Sequence, residues 1–173
     1  MRVYSFPPVA ADDARILILG SMPGIASLQA TQYYAHPRNH FWRIISEIYG
    51  QSAVPDYPQR LKLLCANRLA LWDVLHSCVR PGSLDAAIEH HSAEPNELIG
   101  LLQSHPAIVR ICCNGGTAFT ALRRYFGNAL RARFPQVEVR QLPSTSAANA
   151  SWSYARKLLA WQQGLNPAQP TRA

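Results

Sequence analysis

A chain of 173 residues with 48% apolar content is expected to form one domain around one core. No segment is long and apolar enough to span a bilayer, and the N-terminus lacks the basic region and apolar stretch of a signal peptide. A cytoplasmic protein is therefore expected. Lys and Arg total 17 against 10 Asp and Glu, a net charge of +7, which fits a polyanionic partner or a solvated basic face.

Apolar runs predict strands over 15–19, 69–74, 108–113 and 137–142. The first runs into Gly20-Ser21-Met22-Pro23-Gly24. This segment is too short for a Walker loop and lacks the Rossmann spacing, which argues against an NTPase or a dehydrogenase. A richer stretch follows, Tyr34-Ala35-His36-Pro37-Arg38-Asn39-His40-Phe41-Trp42. Pro37 suits a helix start, so a helix is expected over 37–49, with Phe41, Ile44, Ile45 and Ile48 on one face and Gly50 as its stop. Asn39 would then be a neutral amide near its first turn, either a cap or a group that orients a water. Tyr34 is either core packing or a flat stacking face.

The second strand ends in Trp72-Asp73. Asp73 is an acid in an apolar run, so its burial must be compensated by hydrogen bonds, from a ligand or from a following turn. Helices are expected over 95–104, 117–126 (ended by Gly127) and 151–162. Between them, Asn114-Gly115-Gly116 closes the third strand with a turn that permits close backbone approach. Pro143-Ser144-Thr145-Ser146 closes the fourth with three hydroxyls, suited to phosphate oxygens and equally to helix capping. Residues 1–165 are expected to form the domain, with 166–173 as a tail. Strands alternating with helices imply an α/β fold, a three-layer α/β/α sandwich on a mostly parallel four-stranded sheet. In such sheets ligands bind at the loops beyond the strands' C-terminal ends.

Cys65, Cys78, Cys112 and Cys113 form no C-x-x-C pair, so reduced thiols are expected and no metal site. His90-His91 is expected to face solvent. From 106 to 160 Glu138 is the one acid among Arg110, Arg123, Arg124, Arg131, Arg133, Arg140, Arg156 and Lys157.

These pieces in series resemble the uracil-DNA glycosylase superfamily over nearly the whole chain. Gly20-Ser21-Met22-Pro23-Gly24 is similar to its first motif, which reads G-I-N-P-G in mismatch-specific members. Tyr34 to Trp42 is similar to their F-A-H-P-x-N-x-F-W stretch. Leu142-Pro143-Ser144-Thr145-Ser146 is similar to the second motif. G-S-M-P-G, L-P-S-T-S and the L-W-D-V-L of Leu71 to Leu75 most resemble the hypoxanthine-DNA (deoxyinosine) glycosylase branch.

The resemblance implies a monofunctional glycosylase of base excision repair that flips a deaminated base out of double-stranded DNA. It implies Asn39 as the catalytic residue, because Met22 stands where other members carry the water-positioning residue. It places Tyr34, Asp73, Asn114 and Met22 around the base, and Ser21, Ser144, Thr145 and Ser146 on DNA. No cofactor is implied, and a monomer is expected. Two other readings within the fold are a uracil or xanthine mismatch glycosylase and a catalytically silent DNA-binding module. A free-nucleoside enzyme is a third, from another class.

Overall fold

The computed structural model describes residues 1–50 and 55–166. Its strands are β1 (Arg2–Tyr4), β2 (Ile16–Gly20), β3 (Leu69–Asp73), β4 (Leu75–Val79), β5 (Glu89–Pro95), β6 (Arg110–Asn114) and β7 (Glu138–Leu142). Its α-helices are α1 (Ile25–Ala30), α2 (Phe41–Ile48), α3 (Tyr57–Ala66), α4 (Leu98–Ser104), α5 (Gly116–Arg133) and α6 (Tyr154–Leu165).

The expected four strands form one parallel sheet in the order β3-β2-β6-β7. β2 and β3 are buried at every position, because helices cover both faces. Alternate residues serve the two sides, as a strand's period of two requires. Leu17, Leu19, Ala70, Trp72, Ile111 and Cys113 pack with α4 and α5. Ile16, Ile18, Leu69, Leu71 and Cys112 pack with α2, α3 and α6. The fold is the expected three-layer sandwich.

The structure adds a small antiparallel sheet, β1-β4-β5. His90 and His91 are exposed as expected, though on β5. The N-terminal segment also covers the edge of β3: Val9 and Leu71 exchange backbone bonds of 2.9 and 2.8 Å. Covering that edge removes a template for unwanted strand pairing.

Two helix boundaries differ from expectation. α2 begins at Phe41, not Pro37, because residues 37–40 form a turn in which Asn39 caps the Phe41 amide at 2.9 Å. α5 passes straight through Gly127 to Arg133, since an interior glycine costs a helix only about 1 kcal/mol. Gly50 does stop α2, at φ +75°. The cysteines are free as expected, with Cys65 only partly buried. The expected tail lies outside the described residues apart from Asn166.

Candidate active site

The C-terminal ends of the four parallel strands open into a cavity of about 950 Å³. Every residue expected around the base or on DNA lines it: Ser21 and Met22 after β2, Tyr34 and Asn39, Asp73 at the end of β3, Asn114 at the end of β6, and Ser144, Thr145 and Ser146 after β7. Residues scattered over more than a hundred positions meet here because parallel strands all end on one rim.

Asp73 sits at the floor and is 4% exposed. It is the register partner of Gly20 across β2 and β3. A Cβ on Gly20 would run into the Asp73 carboxyl and lie 2.9 Å from the Tyr34 hydroxyl, so glycine here lets both groups close over the strand end. Asp73 Oδ2 and the Tyr34 hydroxyl are buried without hydrogen-bond partners in the protein. Burial, and next the charge of Asp85, push the Asp73 carboxyl up to about 8 against the pull of Arg80. Near neutral pH the acid is therefore largely uncharged, with one donor and one acceptor to offer. Burial also raises the Tyr34 phenol, as does Asp73. The Tyr34 ring is stacked on Phe41 with centroids 4.1 Å apart. Its backbone is left-handed, at φ +54°.

Asn39 Oδ1 accepts from the Phe41 amide at 2.9 Å. That bond fixes the plane of the side-chain amide, yet a lone pair and both Nδ2 hydrogens remain for a ligand or a water. His40 donates its backbone N–H to the Thr145 carbonyl at 3.0 Å, joining this turn to the serine loop.

That loop is clasped from below. Asn114 donates from Nδ2 to Thr145 Oγ1 at 2.9 Å and accepts the Thr145 N–H at Oδ1, also 2.9 Å. Thr145 is fully buried, and its hydroxyl faces Asn114. Ser144 and Ser146 remain partly exposed. Each accepts a backbone N–H two residues on, from Ser146 and Ala148 at 3.2 Å. Lys157 is buried and donates to the Ser146 carbonyl at 3.0 Å, and burial holds its ammonium below the usual range. Trp161 Nε1 donates to the Pro143 carbonyl at 2.9 Å. Gly115 has φ +97°, and a Cβ there would lie 3.0 Å from that of Ser144.

The first motif is held by a residue the sequence did not reveal. The Arg80 side chain has no exposed surface. Its guanidinium donates to the carbonyls of Met22 at 3.4 Å, Pro23, and Gly82 at 3.1 Å. It lies 3.8 Å from Asp85, which accepts the Ser21 hydroxyl at 2.7 Å. Ser21 therefore spends its proton inside the protein. Met22 is 6% exposed and has no group that can orient a water. A lone Arg before Pro-Gly carries no spacing signal, so Arg80 was not legible.

The basic stretch divides. Arg110 is buried against Glu138 at 2.8 Å, Arg140 pairs with the same carboxylate at 2.5 Å, and Lys157 is internal. These serve the fold. Arg123, Arg124, Arg131 and Arg133 lie on α5, which packs on the other face of the sheet from α2 and α6. A second cavity, of about 650 Å³, shares Tyr34, His36, Asn39, Asn149 and Trp152 with the first. Arg38, Arg43 and Arg60 line it, and no acidic residue does. Among the described residues none of these three arginines forms an ion pair. Arg43 lies 3.9 Å over the Tyr154 ring.

No group of three or more His, Cys, Asp or Glu able to hold a metal occurs among the described residues. No helix among them is long and apolar enough to cross a membrane.

Comparisons with known proteins cover nearly the same span. The family model described as the uracil DNA glycosylase superfamily matches residues 7–164. A Methanosarcina acetivorans protein called hypoxanthine DNA glycosylase is 37% identical over 155 residues, spanning 88% of this chain and 91% of its own. A Methanosarcina barkeri protein of the same name is 38% identical over 116 residues, spanning 66% and 72%. The solution structure of a Methanosarcina acetivorans protein described as a uracil DNA glycosylase matches with a TM-score of 0.79 at 34% identity, over 95% of this chain and 97% of that one.

Proposed function

The chain belongs to the uracil DNA glycosylase superfamily, and we propose that it is a monofunctional DNA glycosylase of base excision repair that removes hypoxanthine. One observation carries the choice of base. A buried acid with an unpartnered oxygen lies at the floor of the cavity beside Tyr34 and Asn39, and burial raises its pKa to about 8. Deamination of adenine creates an edge with N1–H next to C6=O. Asp73 accepts the N1–H, which adenine lacks, and its own O–H donates to the neighbouring oxygen. The names of the two Methanosarcina relatives support the same base.

The reaction breaks the C1′–N9 bond and forms a C1′–O bond to water. The bonding pair leaves with the purine, which takes up the proton the water gives off. The sugar passes through a cation that flanking phosphates stabilise. Asn39 holds the water near C1′ with the amide valences that the Phe41 bond leaves free. A carboxylate beside a departing purine anion would repel it. A neutral acid avoids that repulsion and donates to the leaving base, so burial of Asp73 serves the bond cleavage as well as the readout. Tyr34, backed by Phe41, stacks on the flipped base. Asn114 acts through Thr145 by fixing the serine loop, whose Ser144 and Ser146 face the phosphates; Ser21 and Met22 shape the wall.

Duplex DNA approaches from the side of α2 and α6, where Arg38, Arg43 and Arg60 stand without carboxylate partners. The cavity is complete within one chain, which supports action as a monomer. Uracil is a weaker fit, because Met22 replaces the polar residue of uracil-acting relatives.

The test is cleavage of end-labelled duplexes carrying hypoxanthine, uracil or xanthine, with alkali added to open abasic sites. Cutting of the hypoxanthine strand after alkali alone is expected. Cutting before alkali would refute the monofunctional mechanism, and a stronger preference for uracil would refute the base assignment.

A further inference from the structure

Base extrusion leaves a hole in the stack, and a side chain that fills it keeps the base from falling back. The serine loop, Ser146-Ala147-Ala148-Asn149, has no side chain of the size and apolarity for this. Two large apolar side chains among the cavity-lining residues are instead strongly exposed: Leu84 at 61% and Ile25 at 45%. They come from neighbouring segments. Ile25 donates its backbone N–H to the Ser83 hydroxyl at 2.9 Å.

Leu84 is presented on a rigid mount. Immediately before it, Arg80 ties Gly82 to the first motif from a fully buried position. Immediately after it, Asp85 is held by Ser21 at 2.7 Å and faces Arg80 at 3.8 Å. Leu84 also accepts the Ala87 N–H at 3.0 Å, opening a single turn of tight helix over Asp85–Ala87. A leucine held this firmly yet left in water gains nothing in the free protein, since burial is what makes it favourable. The bonds of Ser83, Asp85 and Arg80 to Ile25, Ser21 and Met22 seat it beside the loop after β2, and β6 separates β2 from β7, which leads into the serine loop. Both loops line the same cavity.

We propose that Leu84 is the wedge of this enzyme, entering the base stack of duplex DNA at the position the flipped nucleotide vacates, with Ile25 as its apolar footing. The proposal rests on the glycosylase activity argued above. It puts the wedge on the loop after β4, not on the serine loop after β7, and it makes Arg80 and Asp85 positioning residues for it.

The experiment compares Leu84→Ala with the unaltered protein on hypoxanthine in paired duplex and in single strands. A duplex with 2-aminopurine beside the hypoxanthine reports unstacking by fluorescence. Leu84 is exposed, so its truncation leaves the core intact. The ratio of duplex to single-strand kcat/KM is expected to fall about tenfold, and the fluorescence rise on binding is expected to shrink. Leu84→Met, which keeps an apolar reach, should restore most of both, and Val109→Ala, exposed just before β6 at the opposite rim of the sheet, should change neither. An unchanged ratio with an unchanged fluorescence rise would overturn the wedge. Failure of the unaltered protein to cut hypoxanthine in any strand would instead refute the glycosylase activity itself, and the wedge with it.

Discussion

Gly20 and Asp73 face each other in register at the ends of neighbouring parallel strands, and the carboxyl occupies the space a side chain on Gly20 would need. The same space is bounded by the Tyr34 hydroxyl, 2.9 Å from the position of such a Cβ. One missing methyl thus lets the acid and the phenol share the cavity floor. Gly20→Ala must displace one of them. Its cost to folding is expected at about 1–3 kcal/mol, the range for overpacking a tight interior. The loss in kcat/KM on hypoxanthine duplex should exceed what unfolding explains at 25 °C. A melt and a rate taken on the same preparation separate the two.

The acid's burial has a pH signature with a definite sign. In the unfolded chain Asp73 ionises near its ordinary 3.8, and in the folded protein it holds its proton to about 8. The folded state therefore binds more protons between those values. The contribution of Asp73 to stability is full below about pH 4 and is lost as pH rises through about 8. Asp73→Asn is permanently neutral and keeps one acceptor and a donor. Its melting temperature should rise relative to the unaltered protein between pH 5 and pH 9. The unaltered enzyme's kcat/KM is expected to fall above about pH 8, and that of the variant is expected not to. Parallel pH profiles of the two proteins would remove Asp73 from the reaction.

Asn39 holds two posts, helix cap and water holder, and two substitutions tell them apart. Asn39→Ala leaves the Phe41 amide uncapped and should cost about 1 kcal/mol of stability. Asn39→Asp keeps an oxygen for that amide and spares the fold, but it loses the Nδ2 hydrogens and brings a charge beside the sugar phosphate. Both are expected to lower single-turnover cleavage at least about a hundredfold while duplex binding stays within about threefold. Normal cleavage by Asn39→Ala would return the residue to a capping role alone.

How much of this was visible in the sequence follows from burial. β2, β3 and β6 are covered on both faces and read as plain apolar runs. β5 reads Glu-His-His-Ser-Ala-Glu-Pro, with five of its seven residues exposed, so nothing but tertiary pairing marks it as a strand. α3 opens on Tyr57-Pro58 and buries a single residue, Leu64, so its apolar stripe is weak. The site was legible because turn glycines, a stranded acid and hydroxyl clusters are unusual at strand ends. The charge pattern misled. Arg110 and Lys157 look like surface cations in sequence, yet both are bonded inside the fold. The unpaired cations by the cavity, Arg38, Arg43 and Arg60, lie outside the basic stretch altogether.

Those cations should set the salt dependence of duplex binding. Arg38 and Arg43 are exposed, so their removal disturbs no core. Each neutralised phosphate contributes about one unit to the slope of log K against log salt. The double variant Arg38→Ala, Arg43→Ala should bind duplex more weakly at low salt and show a slope shallower by about two. The pair Arg124→Ala, Arg131→Ala, on α5, removes the same charge from the other face of the sheet. If net charge alone governed binding, both pairs would weaken it equally. If the DNA runs along α2 and α6, the α5 pair should leave the slope nearly unchanged. Equal slopes for the two double variants would show that the cavity arginines have no privileged place on the DNA, and the approach of the duplex from that side would be wrong.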